Sequence, residues 1–132
     1  MANQQRGEVT LKLCGMDYTL RPTFESLCEL EDRTNSSVLQ TIASMRGGDI
    51  RLKELTHIIW SGMFGYDAEN TPEVEVIGKL IIEEGLTNVM QQEDSEGTNV
   101  VLNFLVNGIL GGEEVDETST AKKPVRKKKR KR

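Results

Sequence analysis

Few residues of this chain could perform chemistry, and their types limit what that chemistry could be. The sequence has one histidine, His57, and two cysteines, Cys14 and Cys28. Cys28 and His57 could in principle form a nucleophile and its general base, but no third group that would orient the imidazole is evident. A buried structural role for Cys28 is the alternative, because Cys28 falls on an apolar helical stripe. A single histidine also excludes a metal site with two histidine ligands.

A row of carboxylates is the other group that could carry chemistry. Glu25, Glu29 and Asp32 share one face of a helix by the 3.6-residue period, and such rows are usually solvated faces. Gly47 and Gly48 end a helix, and no lysine–serine pair follows them as in a phosphate loop. The sequence therefore predicts a protein that is not an enzyme and holds no cofactor and no metal.

One acidic residue of the same helix lies on the wrong face. Glu31 projects on the apolar side with Phe24 and Cys28. A carboxylate in such a position needs a cation or a hydrogen-bond donor. We therefore expect Arg21 or Arg33 to pair with Glu31.

The elements that position these residues form an α+β pattern. Residues 8–20 alternate in polarity around residues 14–17, which predicts a β-hairpin. Threonine, proline, serine, aspartate and glycine then mark the ends of successive helices. The predicted helices cover residues 23–33, 38–45, 51–65, 71–85, 86–90 and 100–110, with a polar stretch at 91–99. The prediction is thus an N-terminal β-hairpin followed by four to six short helices around one core.

Charge divides the chain into a body and a tail. Residues 1–121 carry 8 Lys and Arg against all 21 Asp and Glu, whereas residues 122–132 carry nine Lys and Arg and no acid. The tail is also poor in large aliphatic residues and is therefore predicted to be disordered. We expect a disordered N-terminus at 1–6, one domain at 7–112, and a disordered tail at 113–132 that is acidic and then basic.

The third helix has more apolar surface than a single core face needs. His57, Trp60 and Phe64 lie beside the main stripe that includes Met63. Such a helix is either central or keeps one face for another protein. The second alternative makes Trp60, Met63 and Phe64 candidates for partner binding.

The last helix, residues 100–110, is apolar almost all round. It is either enclosed by the rest of the domain or buried in an oligomer or against a partner. Its candidates for partner binding are Phe104, Leu105 and Ile109.

The basic tail is a candidate for binding polyanions. Such a segment binds phosphates by releasing counterions, without reading sequence, and it contains no aromatic residue that could stack on bases. A solubilising arm that rests loosely on the acidic body is the alternative. The candidate residues are Lys122, Lys123, Arg126, Lys127, Lys128, Lys129, Arg130, Lys131 and Arg132.

Four short motifs resemble those of a known family in order and spacing. They are Gly7-Glu8-Val9, the stretch 20–34, Ile59-Trp60-Ser61-Gly62 and Ile82-Glu83-Glu84-Gly85-Leu86. Across residues 6–110 the chain resembles the small tail proteins of bacteriophages and of phage-like gene transfer agents. Members of this family are described as tail assembly chaperones or tail-tube-associated proteins.

The resemblance implies a role in tail morphogenesis inside the bacterial host cell. It implies a cytoplasmic chaperone that binds the tape-measure protein, or another tail protein, before the tube polymerises. The alternatives are a minor structural component of the tail tube and a nucleic-acid-associated module that acts through the basic tail. A homo-oligomer is compatible with each of these. No apolar run approaches the ~18 residues of a membrane span, so the sequence predicts a soluble protein without a signal peptide and with reduced cysteines.

Overall fold

The computed structural model describes residues 7–110. An N-terminal hairpin precedes six α-helices, which confirms the predicted α+β architecture. The elements are β1 (Val9–Leu13), β2 (Met16–Leu20), α1 (Phe24–Thr34), α2 (Val38–Arg46), α3 (Leu52–Tyr66), a 3-10 turn (Ala68–Asn70), α4 (Val74–Glu84), α5 (Leu86–Met90) and α6 (Val100–Leu110). The predictions for residues 1–6 and 113–132, and those for the nine basic candidates, lie outside the described residues.

The hairpin is tighter than its sequence suggested. β1 and β2 pair antiparallel from Val9 opposite Leu20 to Leu13 opposite Met16. Only Cys14 and Gly15 form the turn, with φ of 53° and 83°, as the two central positions of a type I′ turn require. The predicted four-residue turn was therefore wrong, because Met16 already belongs to β2.

Side-chain caps begin the first two helices at the expected places. The Thr23 hydroxyl accepts a hydrogen bond from the Ser26 amide, and the Ser26 hydroxyl accepts one from the Thr23 amide. Ser37 and Gln40 form the same reciprocal pair at the start of α2. Each pair satisfies amides that a helix start otherwise leaves without partners.

α3 is the central helix, and it packs against α1, α4, β2 and α6. α6 lies between α2 and β1, which explains why α6 is apolar on several sides. The core formed by all these elements comprises Val9, Leu11, Leu13, Leu20, Leu30, Val38, Ile42, Met45, Leu55, Ile58, Ile59, Trp60, Met63, Ile77, Ile81, Val89, Val100, Val101, Phe104 and Leu105.

Close backbone approach fixes how the chain leaves β2 and crosses α3. The Arg21 amide donates to the Gly62 carbonyl at 2.9 Å. A Cβ added at Gly65 would lie 2.1 Å from the carbonyl oxygen of Arg21. The crossing therefore depends on the missing side chain of Gly65.

The partner expected for Glu31 is different in the structure. Glu31 accepts a hydrogen bond from the Val38 amide at 2.9 Å, which places its carboxylate at the positive N-terminus of α2. Arg21 instead lies 3.7 Å from Glu8, and Arg33 lies 3.5 Å from Glu29. The expectation of an arginine partner failed because periodicity within one helix does not reveal the start of the next.

Candidate functional site

The aromatic face predicted on α3 is covered by a side chain of α1. The guanidinium of Arg33 lies 3.9 Å from the centroid of the Trp60 ring, a cation–π contact. The rings of Trp60 and Phe64 stack with centroids 4.9 Å apart. Trp60 keeps only 9% of its surface exposed. The structure thus brings two of the predicted partner-binding residues together and encloses the first of them.

The other candidates divide into core and surface. Met63, Phe104 and Leu105 are buried in the core, whereas 47% of the surface of Ile109 is exposed. A role of the three buried residues in partner binding stays a prediction. Ile109 is accessible to another protein without any rearrangement of the described residues.

Exposed apolar side chains lie on α1 and at the end of α6, two helices that meet near residues 27 and 108. A Cβ added at Gly108 would lie 2.6 Å from the Leu27 side chain, so the two helices touch there. Phe24 lies one turn before Leu27 on α1 and is 86% exposed, and Leu110 is 69% exposed. We call Phe24, Leu27, Ile109 and Leu110 the α1–α6 patch.

Of the four residues of this patch, the sequence indicated only Ile109 as a candidate for partner binding. Phe24 was assigned to the apolar face of α1, and Leu110 was regarded only as part of an apolar helix. The buried side chains of α1 are in fact Ser26 and Leu30. The adjacent cap at Thr23 was the available signal, because a residue in the first turn of a capped surface helix can project away from the core.

His57 lies in a cationic environment. It lines a surface pocket of about 340 Å³ with three cations, Arg33, Arg51 and Lys53, and one carboxylate, Glu54. Burial, followed by the charges of Arg33 and Lys53, lowers the pKa of His57. Its Nδ1 atom is buried and has no hydrogen-bond partner among residues 7–110.

Neither cysteine has the surroundings of a nucleophile in the part of the chain that the structure describes. No hydrogen bond joins Cys28 to His57 there. Desolvation and the nearby charge of Glu83 raise the pKa of the exposed Cys14 thiol, whereas a reactive cysteine needs a lowered pKa. Within residues 7–110, no group of three His, Cys, Asp or Glu side chains is placed to hold a metal ion. None of the helices over this range has the length and apolar character needed to cross a membrane.

Comparison with known proteins agrees with the resemblance seen in the sequence. A family model described as phage tail tube protein, GTA-gp10, matches residues 6–92, which include the hairpin and α1 to α5. Comparisons with curated proteins and with solved structures found no match. A tail-tube role is structural rather than enzymatic, and it implies contacts with other tail proteins. The family model covers well over half of the chain, and the protein therefore belongs to the phage tail tube protein family, GTA-gp10.

Proposed function

We propose that this protein is a non-enzymatic tail assembly factor that binds the tape-measure protein in the host cytoplasm before the tail tube polymerises. Family membership supports a tail-related role. The observation that carries the finer proposal is the α1–α6 patch, where large apolar side chains remain exposed beside a well-packed core. Several large apolar side chains exposed near one helix junction of a small domain are typical of a protein-binding site.

The small amount of sheet favours an assembly factor over a wall subunit of the tube. The sheet of residues 7–110 consists of two strands of five residues each. A wall made by pairing strands between subunits needs longer and more numerous strands than such a hairpin supplies. The surface that remains for a partner is mainly helical, which suits docking of an amphipathic helix.

The patch supplies part of the binding energy of such a contact. Its three most exposed side chains, Phe24, Ile109 and Leu110, together present about two side chains' worth of surface, and burial of each is worth about 1.5–3 kcal/mol. The sum of about 3–6 kcal/mol is a gross value, and association itself costs about 4–15 kcal/mol, so a stable complex needs further contacts beside the patch. Repeated weak contacts of this kind would shield a long apolar partner and still release it.

Co-expression with the tape-measure protein from the same genome tests the proposal. We expect the two proteins to co-purify, and we expect Phe24→Ser to weaken the measured affinity by about 10–30-fold, because burial of most of one aromatic side chain is lost. Ile82→Ser is the matched control, because Ile82 is 60% exposed on α4, away from the patch. Equal affinities of Phe24→Ser and the unaltered protein would remove the patch from the mechanism, and failure to co-purify at all would refute the proposed partner.

A minor structural component of the tail tube is the second candidate, and the family description favours it. This candidate predicts that the protein stays in purified particles at a fixed ratio to the tube subunits. An assembly factor is instead absent from finished particles. Quantitative mass spectrometry of purified particles distinguishes the two.

A further inference from the structure

The outer edges of β1 and β2 differ in whether their backbone groups have hydrogen-bond partners. The backbone amide of Lys12 donates to the side-chain carbonyl of Gln92 at 2.9 Å, and the Gln92 amide donates back to the Lys12 carbonyl at 2.5 Å. Both backbone groups of Lys12 therefore point away from β2, and the Gln92 side chain acts as a short substitute strand. This arrangement covers the outer edge of β1.

The pairing register shows which groups face outward on β2. Lys12 is opposite Asp17, so Asp17 also directs its amide and carbonyl away from the partner strand. Thr19 and Arg21 follow with the same orientation, two and four residues later. The Arg21 amide reaches Gly62, but no hydrogen bond from residues 7–110 reaches the amide of Asp17 or Thr19. Among residues 7–110, the outer edge of β2 is thus open at two residues, Asp17 and Thr19.

A groove runs beside this open edge. Its volume is about 310 Å³, and Met63, Tyr66 and Pro72 contribute apolar walls opposite Tyr18. An edge strand with unpaired backbone groups next to apolar side chains is the arrangement that receives an added extended segment.

The charges around the groove indicate what kind of segment would bind. Asp17 and Asp67 line it, and no lysine or arginine does. Residues 67–75 add Glu69, Glu73 and Glu75 and contain no basic residue. An extended, positively charged segment is the complement of this surface.

We propose that the basic tail of the same chain, residues 122–132, docks along the open edge of β2 as a third, extended strand. The tail offers an apolar side chain for the apolar walls of the groove and cations for its aspartates. Pro124 and Val125 lie between Lys123 and Arg126. Because successive side chains of a strand point to opposite faces, Val125 can meet the apolar walls while Arg126, on the other face, can reach Asp17. Proline has no amide hydrogen, and it is tolerated on an outermost strand when its nitrogen faces away from the sheet.

The connection is long enough for this docking. α6 ends beside Pro22, since a Cβ at Gly108 would lie 3.3 Å from the Pro22 side chain. Pro22 is three residues from Thr19, which at ~3.3 Å per residue is about 10 Å. Residues 111–121 can span up to ~36 Å when fully extended. The tail can therefore reach the groove from the end of its own α6.

Because the tail belongs to the same chain as the groove, even a weakly binding tail would occupy the groove most of the time. A short flexible tether gives an effective concentration on the order of 1 mM. A segment with an intrinsic Kd of about 0.1 mM would then occupy the groove about ten times as often as not. Because the contact depends on charge, it should weaken as salt is added.

Backbone hydrogen exchange of the full-length protein tests this inference. We expect the amides of Asp17 and Thr19 to exchange about 10-fold more slowly at low salt than in 0.5 M NaCl. The same loss of protection should follow Lys123→Glu combined with Arg126→Glu. The Lys12 amide, which Gln92 holds, serves as the internal reference for an intact hairpin.

A second pair of variants separates docking from general charge effects. Asp67→Lys should remove the protection of the Thr19 amide, whereas Asp49→Lys, an equal change at an exposed position outside the groove, should preserve it. Protection that is the same in the unaltered protein and the tail variant would overturn the proposal. Protection that rises with protein concentration would also overturn it, because the bound segment would then belong to a second copy.

Discussion

A methyl group at Gly65 tests how closely the chain crosses α3. The Cβ of an alanine there would lie 2.1 Å from the carbonyl oxygen of Arg21 and 3.0 Å from the hydroxyl of Ser26. A Cβ atom essentially never lies closer than 3.0 Å to another heavy atom outside its own residue and neighbours. The carbonyl belongs to the backbone and cannot rotate away as a side chain could, so the segment after β2 must move by about 1 Å or more.

The expected loss of stability follows from two opposing effects. Overpacking costs about 1–3 kcal/mol, and we take the upper end because backbone is involved. Alanine in place of glycine inside a helix returns about 0.5–1 kcal/mol. The net destabilisation of Gly65→Ala is therefore about 2 kcal/mol, which lowers the Tm of a domain this size by about 8–16 °C.

Thermal unfolding followed by circular dichroism measures this change, and urea unfolding gives the free energy directly. Gly78→Ala in α4 is the matched control, because the nearest atoms to its added Cβ are those of Thr56 at 3.8 Å. The control should gain about 0.5–1 kcal/mol, or about 2–8 °C in Tm. If Gly65→Ala stabilised the protein as Gly78→Ala should, the close crossing of β2 over α3 would be refuted.

Three further predictions concern single side chains. We call the two hydrogen bonds between Gln92 and Lys12 the Gln92 clamp. Gln92→Ala removes both bonds and should lower the free energy of unfolding, measured in urea, by about 1–2 kcal/mol. Unchanged stability would contradict the clamp. Arg33→Gln should lower the free energy of unfolding by about 0.5–1 kcal/mol. It should also shift the fluorescence emission of Trp60, the only tryptophan, to longer wavelength. An unchanged spectrum would argue against the cation–π contact. Burial and the charge of Arg33 lower the pKa of His57, so the folded protein binds this proton less readily than the unfolded chain. The free energy of unfolding should therefore be unaffected by His57 above about pH 6.5 and should fall as the pH is lowered below that value. In His57→Gln, the midpoint of urea unfolding should change less between pH 7.5 and 5.5 than in the unaltered protein.

Local signals in the sequence were sufficient for most element boundaries. α2 begins at Val38 because Ser37 caps it, and α4 ends at Glu84 because Gly85 follows with a φ of 103°. α6 covers the predicted residues 100–110. Such boundaries depend on residues within one turn of each other, so a linear pattern records them.

The site could not be predicted in the same way. Arg33 covers Trp60 from another helix, and the α1–α6 patch exists only because α6 ends beside α1. The open edge of β2 likewise depends on the register of the hairpin and on Gln92, which is far away in sequence. Each of these features depends on how elements cross, and periodicity within one element does not contain that information.

The Gln92 clamp also has a consequence for the newly made chain on the ribosome. Gln92 follows its partner Lys12 by 80 residues. At about 5–20 residues per second, the clamp is synthesised some 4–16 s after the hairpin. During that interval the residues of β1 lack the side chain that later covers their outer edge, and they can pair with neighbouring nascent chains. Crowded polysomes should therefore be the place where this protein is most prone to misassociation, and slow translation over residues 13–92 should lower its yield.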